Sequence, residues 1–183
     1  MNIFYLSHDV RECAKFHNDK HCVKMILEYC QLLSTAHRVL DGQENVIKSN
    51  GRNKKVWRLP DERDTILYSA THINHPSAIW CRASDSNYLW LHSLLVELCS
   101  EYTYRYGKTH KCESSGLVNQ LRHCPNNIRH AEFTQPTPAM PDEVKILNNS
   151  LESYRNYYIK NKTKLANWKN RSVPQWYMES VNA

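Results

Sequence analysis

Glycine is scarce, at four residues in 183, and no glycine-rich loop of the kind that cradles a phosphate appears. No window approaches the ~20 apolar residues of a membrane-spanning helix. The start, MNIFYLSHD, lacks the basic lead and long apolar run of a secretory signal. No CxxC pair occurs, so a zinc ribbon is not indicated. The seven cysteines are odd in number and spread along the chain, which favours free thiols in a reducing compartment over a disulfide framework. A cytoplasmic location is therefore expected (the host cytoplasm, if a virus encodes the chain). Internal repeats, low-complexity tracts and domain boundaries are absent too.

What is there suits one domain, residues 1–183, with a substantial core: 41% of residues are hydrophobic and 23% charged. The formal net charge of +6 and pI of about 8.9 favour an anionic partner, of which nucleic acid is the commonest. Eleven Tyr and five Trp can stack on bases or fill a core. A monomer without a membrane partner is expected.

The pattern centres on residues 16–38. Cys22, Ile26, Tyr29, Leu33, Ala36 and Leu40 recur at helical steps and predict a buried stripe. Lys20, Lys24, Glu28, Gln31, Thr35 and Arg38 recur at the same steps on another face. Lys24 and Glu28 fall one turn apart, where they can meet. Asp9 with Glu12 predicts a capped first helix over 10–17. Asn18-Asp19 restarts a helix that runs to about Leu40, and Asp41-Gly42 ends it with glycine in the left-handed conformation. The polar stretch 43–70 holds SNGRNKKVWR, with a turn signal at Asn50-Gly51, and reads as a basic loop insertion or a loose hairpin. Pro76 starts a short helix through Trp80. Ser84 and Asp85 cap a helix running to Tyr106, closed by Gly107. A short helix near 114–122, a helical stretch opening at Pro141 and a helix over about 150–168 complete the reading. The expected class is all-α: long helices around one core, with sizeable irregular loops.

Three clusters could carry chemistry. The first is His17, Asp19, Lys20, His21, Lys24 and Glu28. A lysine of depressed pKa can attack a sugar aldehyde as a Schiff-base nucleophile, and a neighbouring carboxylate can act as acid or base or stabilise a cationic sugar. The bland reading is a solvated helix face with a surface ion pair worth under ~1 kcal/mol. The second is His72, Asn74 and His75, with Arg82 following. Two histidines three apart can serve acid-base chemistry, hold phosphate or bind metal; the bland reading is a loop capped by imidazole hydrogen bonds. The third is Arg171 to Tyr177, where Arg171, Trp176 and Tyr177 have the composition of a nucleic-acid contact and equally of a tail docked on the core. Cys13, His17 and His21 step by four, but Asn18-Asp19 breaks the helix between them. No metal and no cofactor are expected.

Three patches in order carry a resemblance. They are MNIF followed by DKHCVKMILEYCQLL, then NHPSAIW followed by a helix ending CSEYTYRYG, then MPDEVKILNNSLESYRNYYI with the closing RSVPQWY. Together they resemble the pyrimidine-dimer DNA glycosylase family, over most of the chain except 43–70, and suggest a phage origin. The resemblance implies a compact helical domain that binds duplex DNA, attacks C1′ of a damaged nucleotide with an amine and cleaves the abasic product by β-elimination. In that family's prototype the nucleophile is the N-terminal α-amine, and a glutamate on the early helix is essential. Carried onto this chain, the amine is that of Met1, or else Lys20 or Lys24 takes the role. The carboxylate is Glu28 or Asp19. His72, Asn74, His75, Arg82 and the 171–177 tail would hold phosphate and base. Two other expectations stay open: a nucleotide- or phosphodiester-acting enzyme on the same scaffold, with His17, His21, His72 and His75 as acid and base, and a non-enzymatic nucleic-acid-binding module.

Overall fold

The chain enters through its own core. In the computed structural model, which describes residues 1–181, Ile3, Phe4, Tyr5 and Leu6 are extended, pair with no strand, and are buried. Helix α1, Val10–Phe16, follows behind its Asp9 cap, whose carboxylate accepts from the Arg11 and Glu12 amides at 2.9 Å each. Glu12 does not reach back to the Asp9 amide. Ser7 Oγ stands between them, accepting from Asp9 N at 3.2 Å and donating to Glu12 Oε2 at 2.9 Å, so the capping box closes through one hydroxyl.

Two long helices form the frame. Helix α2 spans Asp19–Asp41 behind an Asn18 cap, and the predicted apolar stripe is buried from Cys22 to Ala36, with Leu40 half-buried. Helix α5 spans Asp85–Tyr106 between its Ser84 cap and a left-handed Gly107. It packs on α1 and α2 through a stripe in which Tyr88, Leu91, Leu95 and Leu98 are fully buried. The one-turn helix α3 (Arg63–Ile66) and the short α4 (Pro76–Cys81) lie between the frame helices in sequence; α6 (Lys111–Ser114) and α7 (Leu117–Gln120) follow them. Helix α8, Ser150–Asn161, sends Tyr154 and Tyr158 against Phe4, and α9, Gln175–Val181, closes the described chain. No helix among the described residues is long and apolar enough to cross a membrane.

The fold is mostly helical but not purely so, which corrects the all-α expectation. Residues 43–58 form an antiparallel hairpin, β1 (Gln43–Ser49) with β2 (Arg52–Arg58), in unbroken register from Gln43 opposite Arg58 to Ser49 opposite Arg52. Asn50 and Gly51 both have positive φ, 50° and 76°, the two-residue turn whose twist matches a hairpin. Nearly all of its side chains are exposed, so the alternation that usually betrays a strand is missing.

Gly42 also departs from expectation. Its φ of −91° is not left-handed; a Cβ there would sit 2.4 Å from the Arg38 carbonyl oxygen and 3.1 Å from that of Arg58. Glycine is required for close approach, because the hairpin leaves α2 across the helix's own last turn. The eighth helix stops at Asn161 rather than near 168, with one 3-10 turn (Thr163–Leu165) beyond it. Two anchors pull the chain off the helix axis: the Asn167 carbonyl accepts from Asp19 N at 2.8 Å, and Trp168 Nε1 donates to the Phe16 carbonyl at 2.9 Å. Pro141 opens only a 3-10 turn, Asp142–Val144.

Candidate functional site

The polar stripe of α2 runs from solvent into the interior. Lys20 and Lys24 are exposed, Glu28 and Gln31 half-buried, Thr35 and Arg38 buried. The cause is the 57–71 segment laid across its far half. Arg38 Nη1 donates to the Trp57 carbonyl and to Asp64 Oδ1 at 2.7 Å each; Nη2 donates to the Asp64 and Leu67 carbonyls at 2.8 Å each. Its Nε donates to the Tyr68 carbonyl at 2.5 Å, and Thr71 N donates to Thr35 Oγ1 at 3.2 Å. Glu28 lies N-terminal to these anchors on the same stripe. Its side chain is 12% exposed and accepts from Lys24 Nζ at 2.9 Å.

The same segment delivers the second cluster. His72 takes a positive φ of 48° and is exposed, its Nδ1 2.7 Å from Thr71 Oγ1. Its carbonyl accepts from His75 N at 2.8 Å. His75 is the N-cap of α4, and its Nδ1 accepts from Ser77 N at 3.2 Å. Burial holds the His75 ring below its ordinary pKa; the positive charge of the Met1 amine and the His72 ring push the same way, and Glu28 opposes them. The charges of the Met1 amine, of Glu28 in the middle of α2 and of His72 thus all act on His75, in the lead into α4. Asn2 Oδ1, next to Met1 in sequence, Ser77 Oγ, two residues after His75, and Arg82 Nη1 are buried polar atoms with no hydrogen-bond partner among the described residues. Arg82 is the C-cap of α4, at the opposite end from His75, and burial lowers its pKa. Asn74 is exposed beside His75.

The imidazoles differ in what they can do. A neutral His75 whose Nδ1 accepts from a backbone amide carries its proton on Nε2, so it offers a donor to a ligand and not a base. His17 is fully buried, with Nδ1 2.7 Å from the Cys13 carbonyl and Nε2 3.0 Å from Tyr29 Oη; desolvation lowers its pKa to about 4. His21 stacks on Phe4 at 4.0 Å between centroids and meets Tyr158 Oη at 2.6 Å, and desolvation lowers its pKa to about 2. Both rings hold α2 to the core.

Asp19 is a structural anchor as well, accepting from Arg105 Nη1 at 3.0 Å and from Lys169 N at 2.8 Å. In the tail, Arg171 binds both oxygens of Glu101, at 3.0 and 2.8 Å, and its guanidinium lies 3.9 Å from the centroid of Tyr104. Trp176 is half-buried against Phe16 and Tyr158, and Tyr177 is buried against Trp168. These three dock the 171–177 segment on the core. Lys20 is exposed, without an ion-pair partner among the described residues.

No protein-family model, curated protein or solved structure matches the chain.

The sequence reading missed Glu101 and Arg105. Arg105 is fully buried, paired with Glu101 at 2.7 Å, and also donates to the Lys15 and His17 carbonyls. The signal was present: Glu101 and Arg105 stand one turn apart on the stripe that also carries Leu98 and Tyr102, where a solvated pair does not belong. A concavity of about 510 Å³ lies toward the other end of α2, among His37, Arg63, Gln120 and His123. Its arginine is already tied to Asp41 and Asp61 at 2.7 Å each. No group of three or more His, Cys, Asp or Glu among the described residues could hold a metal ion, and all seven thiols are free.

Proposed function

We propose that the chain is a DNA glycosylase/AP-lyase-like enzyme that excises a damaged or modified pyrimidine through an amine–sugar imine. The observation that carries this reading is that the charges of the Met1 amine and of Glu28 both act on His75. An amine, a carboxylate and a neutral hydrogen-bond donor are the groups the reaction needs. The amine's lone pair attacks C1′ while the C1′–N1 bond breaks and its electron pair leaves with the base. Glu28 stabilises the sugar cation and takes the proton the amine sheds. Ring opening gives the imine. Loss of a C2′ proton then drives β-elimination, breaking the C3′–O bond.

Two amines compete for the nucleophile's role. Lys24 already donates to it as an ammonium and would have to leave that ion pair to attack. Met1 is therefore assigned the nucleophile. His75 Nε2–H and Arg82 are assigned to phosphate or sugar oxygens, with His72 and Asn74 at the exposed rim. The alternative with four histidines as acid and base is weaker on the same geometry, since His17 and His21 are enclosed in the core and His75 presents a donor.

Incubation with duplex DNA carrying an abasic site, and with a duplex carrying a cyclobutane thymine dimer, in EDTA and borohydride tests the proposal. A covalent adduct that mass spectrometry maps to Met1 is expected. Folded protein that yields neither adduct nor cleavage sinks the imine mechanism, and an adduct at Lys24 reassigns the nucleophile.

A further inference from the structure

The hairpin β1–β2 carries five cations, Lys48, Arg52, Lys54, Lys55 and Arg58, against one carboxylate, Glu44. Their pairing is uneven. Toward the base, Lys55 meets Glu44 at 2.7 Å and Arg58 meets Asp64 at 3.2 Å. At the tip, Lys48, Arg52 and Lys54 have no ion-pair partner among the described residues. Arg52 and Lys54 fall on one face of the ribbon, opposite Ser49 and Ile47. Lys48, beside the turn, falls on the other. The ribbon buries no side chain of its own, so packing does not hold these charges together. A two-stranded hairpin is marginal by itself, and like charges gathered at its tip weaken it further. The gathering suits an anion that arrives from outside.

Position selects the anion. A small groove of about 160 Å³ lies between the ribbon and the covering segment, lined by Ile47, Lys54, Val56 and Arg58 on one side and Ser69 and Ala70 on the other. Within five residues of Ala70 that segment supplies His72 and His75. The cationic ribbon thus joins, along one stretch of chain, the histidine edge of the candidate site. Seven residues of strand extend about 23 Å, enough to run across a duplex, and two-stranded ribbons are among the elements that fit its major groove.

We infer that the 43–58 hairpin is an arm that grips the phosphate backbone of duplex DNA beside the reacting nucleotide. The inference rests on the proposed action on duplex DNA. Phosphates bound by the tip would release counterions, so affinity must fall with salt, by about 0.9 in log–log slope for each contact.

The test compares the natural chain with the triple variant Lys48→Gln, Arg52→Gln, Lys54→Gln. All three sites are exposed, so circular dichroism and melting should not change. Binding to a fluorescent abasic duplex and to the matching single strand is titrated across salt. The variant should lose about 2–3 from the salt slope on duplex, bind duplex at least tenfold more weakly, and lose preference for duplex over single strand. A variant with the natural slope, affinity and preference overturns the arm. Borohydride adduct yield at saturating DNA separates the two readings. Loss of slope with adduct retained supports both. Absence of adduct from the natural chain defeats the chemistry while the slope comparison still decides the arm.

Discussion

Glu28 is the residue on which the chemistry and the fold can be pulled apart. Its one ion-pair partner among the described residues is Lys24, whose side chain is 61% exposed, and a pair so open to solvent contributes at most about 1 kcal/mol. Glu28→Gln keeps shape and hydrogen bonding but removes the negative charge that steadies a sugar cation. Adduct formation should fall about 10²–10⁴-fold, with the urea midpoint almost unmoved. A variant that loses stability and activity in parallel would make Glu28 structural. Asp19 is the contrast: the sequence offered both acids equally, and only the placement of Arg105 and Lys169 separates them. Residue type told which groups could act, whereas enclosure told which were free. His17 and His21 illustrate the limit. Their spacing with Asp19 and Lys24 looks like a site in one dimension, but Tyr29 and Tyr158 come from elsewhere in the chain to occupy their rings.

At the scale of elements, Arg38 decides whether the site assembles. Its fork satisfies four carbonyls and one carboxylate between residues 57 and 68, and so ties the cover to α2. Lysine cannot reproduce a planar fork of five donors. Arg38→Lys should cost about 3 kcal/mol by leaving buried carbonyls unpaired. Amide exchange should rise first across 57–75, ahead of α5. Uniform loss of protection across both would show that the segment is not a separate unit. The helices themselves were legible because their ends are local events. Asp9, Asn18 and Ser84 accept amides within three residues, and Gly107 turns left-handed. Where an element depends on something distant, the pattern failed. The hairpin has no buried face to write into its sequence, Gly42 answers to the carbonyls of Arg38 and Arg58, and α8 stops because Asp19 and Phe16 hold the chain beyond it. The tail's aromatic and basic composition fits stacking on bases and packing on a core, and the two are compatible; Phe16, Tyr158 and Glu101 supply the packing.

The molecule as a whole should be sensitive to acid well above the range in which carboxylates titrate. His17 and His21 are neutral in the folded chain, with pKa values lowered to about 4 and 2 by desolvation. Unfolded, both would titrate near the ordinary value of about 6.5. Between that value and the folded one the unfolded state binds more protons, so stability rises with pH across this window and is lost as pH falls through it. Each ring accounts for about 2 kcal/mol lost by pH 5. Glu101 adds a lower limb: burial would raise its pKa, but Arg171 and Arg105 outweigh that and hold it below the ordinary range. Its contribution is present above the unfolded glutamate value and fades as pH drops through the folded one. Chemical denaturation at pH 7, 6 and 5 should therefore show a steady decline, and His17→Gln should flatten its slope even if it lowers stability at pH 7. A stability flat from pH 7 to 5 would mean that the rings are protonated in the fold.

The three parts of the site come from the chain start, α2 and the lead into α4, and no window of sequence contains them together. Ile3 to Leu6 thread the chain start through the core, two residues beyond the amine. A short Gly-Ser extension ahead of Met1 leaves that thread in place and converts the Met1 amine to an amide. Melting temperature and far-ultraviolet dichroism should then match the natural chain, duplex affinity should stay within a few-fold, and borohydride trapping should fall at least 10²-fold, in line with removal of an essential catalytic group. Trapping that persists at full yield on the extended chain, mapped to Lys24 or Lys20, would move the nucleophile onto α2 and leave the amine of Met1 as a neighbour that tunes His75.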